Sequence, residues 1–170
     1  MEQQLSDDAG YIRIIHDQQE RLKELSCINR ATQILKERKP VDETLMHLVL
    51  ILPAAWQYPD FTGARIRYNG KSFETPGLKE TAWQMIQDFS TVDGDGSVEV
   101  YYSREFLEEF EGPFLKEERD LIRNIAGLIA GYINSLKARN LRTSSHDDDS
   151  EYDNIAGLSS RKLLQKFLDR

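Results

Sequence analysis

The dipeptide Asn69-Gly70 constrains this chain more than any other feature of its sequence. It stands between two short stretches, "TGARIRY" and "KSFET", and the first of them alternates apolar and polar residues. A two-residue connection of this kind takes the type I′ turn, because both central residues need positive φ and Asn and Gly tolerate it. The chain therefore doubles back as an antiparallel hairpin. Ala64, Ile66 and Tyr68 point to one side and Arg65 and Arg67 to the other. The rest of the chain has to extend or cover that hairpin.

The flanks on both sides are helical in pattern. From Tyr11 to about Lys39 there is no Gly or Pro, and apolar residues recur at helical intervals from Ile12 to Leu35. Ile15, Leu22 and Asn29 are spaced by sevens, as are Gln18, Leu25 and Thr32, a coiled-coil seam with polar intrusions. Pro40 ends the run, and "VDETLMHLVLIL" follows as a second helix, with Asp42 as expected N-cap and Leu45, Leu48, Val49 and Leu52 as its buried face. The third helical pattern, "PFLKEERDLIRNIAGLIAGYINSLKARNL", carries a broad apolar stripe with acidic residues in its first turns and basic ones near its end.

Between the second helix and the hairpin lies a corner. Pro53 ends the helix by removing a donor, and Pro59 biases Tyr58 away from helical backbone. Trp56 and Tyr58 then plug the end of the core, read as packing rather than ligand contact. After Pro76-Gly77, "TAWQMIQDFS" is compatible with strand or helix, and "VDGDGSVEVYYS" reads as a turn through Asp95-Gly96 into a strand. The expected class is α+β: an antiparallel β-sheet with long N- and C-terminal helices packed on one face.

Composition narrows the function classes. The net charge of -7 offers no basic stripe for nucleic acid. No apolar run approaches the roughly 20 residues that span a bilayer, and no signal peptide is expected. A single cysteine, Cys27, leaves no intramolecular disulfide, and the cytoplasm is the expected compartment. His16, His47 and His146 are too scattered for a metal site. "DGDGSVEV" starts like an EF-hand loop but places Val98 where the glycine belongs and Arg104 where the final Glu belongs. No catalytic constellation, metal or cofactor is expected. Arg65 and Arg67 are either solvated strand positions or a pair that could hold an anion.

Two stretches in this order, "ETLMHLVLILPAAWQYPDFTGARIRYNGKSFETPGLKETAWQ" and "GSVEVYYSREFLEEFEGPFLKEERDLIRNIAGLIAGYI", resemble a GAF-like sensor domain of bacterial and archaeal signalling proteins. Such domains often stand beside PAS domains and histidine-kinase cores. The resemblance covers about residues 20 to 140 and implies a GAF/PAS-like sheet whose flanking helices form a parallel dimer bundle. It also implies that the opposite face holds a small ligand under loops. Four segments are expected: a helical extension over 1–20, the GAF-like sensor and dimerisation domain over 21–141, an acidic flexible linker over 142–157, and the start of a further helix or domain over 158–170. Arg65, Arg67, Trp83 and Tyr102 are the candidate ligand-binding residues. Pro53, Trp56, Tyr58 and Pro59 form the structural corner, and Ile15, Leu22, Leu25, Ile129, Ile133 and Leu136 are the candidate dimer residues.

The function expected is a non-catalytic regulatory module in signal transduction, homodimeric, relaying a state to a downstream output domain or partner. Two alternatives stand beside it. One is the N-terminal regulatory region of a histidine kinase or a phosphoenolpyruvate-synthase-like phosphotransfer enzyme. The other is a module that binds an anionic metabolite.

Overall fold

A computed structural model describes the backbone of residues 2–168 and the side chains of residues 10–142. The elements are α1 (Glu2–Lys36), α2 (Val41–Ile51), β1 (Thr62–Tyr68), β2 (Lys71–Glu74), β3 (Gln84–Thr91), β4 (Gly94–Tyr102) and α3 (Lys116–Leu168). The chain divides into two units, Met1–Ile133 and Asn134–Arg170. The first contains the sheet and the core. The residues of the expected linker, 142–157, and of the expected further helix up to 168 are helical backbone of α3, and their side chains beyond Arg142 lie outside the described residues.

The strands form one antiparallel sheet in the order β2-β1-β4-β3, two hairpins joined by the pairing of β1 with β4. The first hairpin has the expected turn: Asn69 and Gly70 have φ of 51° and 77°, and Tyr68 pairs with Lys71. "QMIQDFST" resolves as a strand, β3, with Met85 and Phe89 buried and Ile86 exposed. Its connection to β4 differs from the expected one. Thr91 pairs with Gly94, so the turn falls at Val92-Asp93, and Asp95 and Gly96 belong to β4. The Thr91 hydroxyl holds that turn, donating to the Gly94 carbonyl and accepting from the Asp93 N–H. Gly96 is needed within the strand instead, because a Cβ there would stand 2.4 Å from the Phe89 ring and 2.6 Å from the Arg67 carbonyl. Tyr68 and Phe89 stack alongside it, with centroids 6.1 Å apart.

Every strand residue of the core lies on one face: Ala64, Ile66 and Tyr68 of β1 with Phe73, Met85, Phe89, Val98, Val100 and Tyr102. The helices supply the other half. Cys27 and Ala31 come from α1, Leu45, Leu48 and Val49 from α2, and Leu121, Ile122, Ile125 and Ile129 from α3. The α2 stripe is buried as its spacing predicts, but its N-terminus is not capped by Asp42. Pro40 holds the cap position and Asp42 lies in the first turn, its carboxylate taking the Lys71 ammonium at 2.5 Å. After α2, Pro53 and Pro59 each begin a short 3-10 turn, and these carry the chain round the corner to β1. Trp56 between them is fully buried.

Candidate functional site

Three places on the first unit carry unusual chemistry, and the first is the outward face of α1. Side chains that enter the core from this helix, Cys27 and Ala31, lie about half a turn from Leu22 and Leu25 at ~100° per residue. The outward residues are apolar too. Tyr11, Ile12, Ile14, Ile15, Leu22 and Leu25 all keep more than half of their surface exposed, from 53% for Ile15 to 68% for Tyr11 and Ile12. The helix is thus apolar on two opposite sides. The expected dimer residues separate accordingly. Ile15, Leu22 and Leu25 are exposed, whereas Ile129 and Ile133 are buried in the chain's own core and are not free for a partner. Leu136, in the second unit, is half-buried.

The second place is the outer sheet face. Arg65 is not a solvated strand position: its side chain is 7% exposed and lies among three carboxylates. Its Nε donates to Glu74 at 2.7 Å, its Nη2 to Glu80 at 2.5 Å and its Nη1 to Glu99 at 3.4 Å. Two of these contacts follow from register, since Arg65 stands opposite Glu74 in β2 and Glu99 in β4. Glu99 also forms an ion pair with Arg67 at 3.0 Å and accepts from the Ser97 and Tyr101 hydroxyls. Burial works against the Arg65 charge, but the hydrogen bonds to Glu80 and Glu74 outweigh it and hold its pKa above the usual value. Burial and the Glu99 contact push the Tyr101 phenol up to about 12. The connection from β2 to β3 crosses this face, bringing Glu80 to Arg65 and Leu78 onto Gly63, which has no Cβ to obstruct it.

The four candidate ligand residues do not converge. Arg65 and Arg67 are on the outer face, while Tyr102 is buried on the face that meets the helices and Trp83 packs against the same core. Alternation decides this, because Tyr102 pairs with Thr62, an even-numbered position of β1 like Ala64 and Ile66. A cleft of about 420 Å³ lies over the first hairpin, and its lining mixes Arg65, Arg67 and Lys71 with Glu74, Glu80 and Asp95. Its cations already have anions beside them.

The third place is the corner, built around Glu118 of α3. This carboxylate is 3% exposed and accepts from the Gln57 N–H at 2.7 Å, the Tyr102 hydroxyl at 2.8 Å and the Leu115 N–H at 2.7 Å. The last contact is one half of a capping box at the start of α3. Burial raises the Glu118 pKa above the usual carboxylate value, and the three donors only partly offset this. Tyr58 stacks on Phe106 at 3.7 Å and meets Tyr102 edge-on at 5.5 Å, closing the aromatic corner. The indole N–H of Trp56 has no hydrogen-bond partner among the described residues. Cys27 is buried and its thiol is pushed up to about 11 by that burial, far from the activated range of a nucleophile.

Glu74 was within reach of sequence reasoning, because a two-residue Asn-Gly loop pairs Arg65 with Glu74. Glu99 and Glu80 were not, since each reaches Arg65 through a pairing or connection that no local pattern encodes, and of the Glu118 contacts only that with the Leu115 N–H is local. Among the described residues, no group of three or more His, Cys, Asp and Glu side chains could hold a metal ion, and no helix is long and apolar enough to cross a membrane. Comparison with known proteins gives no match: no family model, no curated protein and no solved structure is significantly similar to the chain.

Proposed function

We propose that the chain is a non-catalytic regulatory module of GAF-like type that dimerises through α1 and relays a state along the chain to an output domain or partner. The observation that carries this reading is the second apolar face of α1. A helix docked on its own domain needs one apolar stripe, and the opposite stripe at Ile15, Leu22 and Leu25 exposes apolar area that water disfavours. Heptad spacing of those residues suits a second helix. A seam on the same helix that enters the core at Cys27 and Ala31 also connects the dimer contact to the sheet through one rigid element.

Sedimentation of the full chain over a wide concentration range tests the reading. The expected result is a monomer–dimer equilibrium that Leu22→Glu and Leu25→Glu abolish while the circular dichroism spectrum is kept. A strict monomer at high micromolar concentration refutes it.

A further inference from the structure

We propose that the free edge of β3 is a strand-addition site for an extended segment of alternating apolar and basic residues, and that Arg119 of α3 is the latch that closes it. This surface is separate from α1 and does not depend on the dimer reading.

The strand order β2-β1-β4-β3 leaves two outer strands. β2 is four residues long and its Lys71 is tied to Asp42, so that edge is short and charged. β3 runs for eight residues, contains neither Lys nor Pro, and pairs with β4 alone. The Trp83 carbonyl accepts from the Tyr102 N–H, so the odd-numbered residues that follow bond to β4. Gln84, Ile86, Asp88 and Ser90 therefore turn their backbone groups outward. Side chains reach two of the outward carbonyls. Ile86 accepts from Arg119 Nη1 at 2.9 Å, and Asp88 accepts from the Gln87 side-chain amide at 3.0 Å. Among the described residues, no hydrogen bond reaches the outward N–H of Ile86, Asp88 or Ser90.

Arg119 occupies the acceptor that an added strand needs at mid-edge. Its Nε donates to Glu111 at 2.7 Å and its Nη2 to the other oxygen of the same carboxylate, which leaves Nη1 for the Ile86 carbonyl. The bond to Arg119 holds the Glu111 carboxyl below its ordinary range. Glu111 is fixed in turn by a backbone bridge to Phe114, whose buried ring stacks on Tyr102. A strand added along β3 has to turn only Nη1 aside. The fork to Glu111 can stay, so opening the latch exchanges one hydrogen bond for another.

The surroundings of the edge select the occupant. Met85 and Phe89 are buried on one face of β3, while Ile86 and Asp88 are exposed on the other. An added strand extends the core with one alternate set of side chains and meets Asp88 with the other. The loop leading to Glu111 adds Glu105, Glu108 and Glu109, all exposed and without an ion-pair partner among the described residues. It also leaves Leu107 and Phe110 81% and 64% exposed. Apolar residues alternating with Lys or Arg match both features. A second copy of the same edge would bring Asp88 and these glutamates towards their own counterparts, and like charges across a contact disfavour it.

Fluorescence anisotropy of a labelled peptide alternating valine and lysine, titrated with the full chain, tests the proposal. Saturable binding is expected for this peptide and not for its valine–glutamate counterpart. It should also be lost when alternate amides of the valine–lysine peptide are N-methylated, which removes the donors of one strand edge and keeps the charge. Arg119→Ala is expected to bind the peptide about tenfold tighter, because the Ile86 carbonyl is then free. Equal binding of the N-methylated peptide overturns strand addition and leaves charge attraction alone. No binding to either protein overturns the site. An unchanged affinity in Arg119→Ala, with the circular dichroism spectrum kept, overturns the latch. Should that variant fail to fold, the methylated peptide against the parent chain still decides whether the edge accepts a strand. Self-association of Arg119→Ala without peptide binding gives the edge to a second copy and overturns the proposed occupant.

Discussion

Replacing Leu22 with alanine perturbs the outward seam of α1 without touching the core. Leu22 is 65% exposed in the single chain, so its truncation leaves the monomer's stability within about 0.5 kcal/mol of the parent. In a dimer the same side chain is covered. Complete burial of a leucine contributes about 1.5–3 kcal/mol, so covering the exposed part of Leu22 contributes about 1–2 kcal/mol per copy and twice that per dimer. Together with Ile15 and Leu25, exposed by 53% and 61%, the gross gain is of the same order as the roughly 4–15 kcal/mol cost of association. The dimer is therefore expected to be of modest affinity. A loss of about 2–4 kcal/mol weakens it roughly 30- to 1,000-fold, at 1.4 kcal/mol per tenfold. Sedimentation equilibrium of parent and Leu22→Ala, with a urea titration of each at a concentration where both are monomeric, gives the two quantities separately. An unchanged dissociation constant refutes the seam. A lowered monomer stability refutes the premise that Leu22 lies outside the core.

Three further outcomes follow from the corner and the outer face. Trp56→Ala should cost about 3–5 kcal/mol of unfolding free energy, whereas Trp56→Phe should cost less than about 1.5 kcal/mol because the indole N–H makes no hydrogen bond. Equal losses in chemical denaturation would mean that the N–H is satisfied. Arg65→Met leaves Glu99 buried beside fewer cations and should cost about 3–5 kcal/mol. In a double-mutant cycle with Glu99→Gln, the two changes should couple by at least about 0.5 kcal/mol, and strict additivity would disprove the pairing. Glu118 gives a pH signature. Its native pKa is raised above the ordinary 4.5, so the folded state binds its proton more tightly than the unfolded chain does. The stability it contributes is present below the unfolded value and lost as pH rises through the native one. Glu118→Gln does not titrate, so its deficit against the parent should narrow on going from about pH 4.5 to neutrality. A deficit that widens means that the three donors outweigh burial.

Local patterns carried most of the fold. Asn69-Gly70 specified both the first hairpin and its register, because positive φ at two successive positions is steeply selective. Periodicity located the helices and the buried stripe of α2, since the spacing of apolar residues reports one burial face directly. It could not settle the connection of β3 to β4. Two Asp-Gly pairs lie close together there, and the choice of turn rests on how Phe89 and Tyr68 pack beside Gly96. The heptads of α1 were also legible, but not that the stripe carrying them faces away from the core.

What the sequence determined by itself is therefore the set of elements and their polarity: an antiparallel hairpin between amphipathic helices, with Trp56 and Tyr58 at the join. Local backbone preference and solvent partition act on neighbouring residues and leave their mark in neighbouring letters. Only the tertiary structure decided which charges meet and which apolar face stays open. Arg65 reaches Glu99 across 34 residues of chain, and Glu118 gathers the Gln57 N–H from 61 residues away. It likewise assigned Ile129 and Ile133 to the chain's own core and left Leu22 and Leu25 outside it. These are matters of strand order and helix docking, where energy depends on distance in space, and adjacency in the chain carries no trace of it.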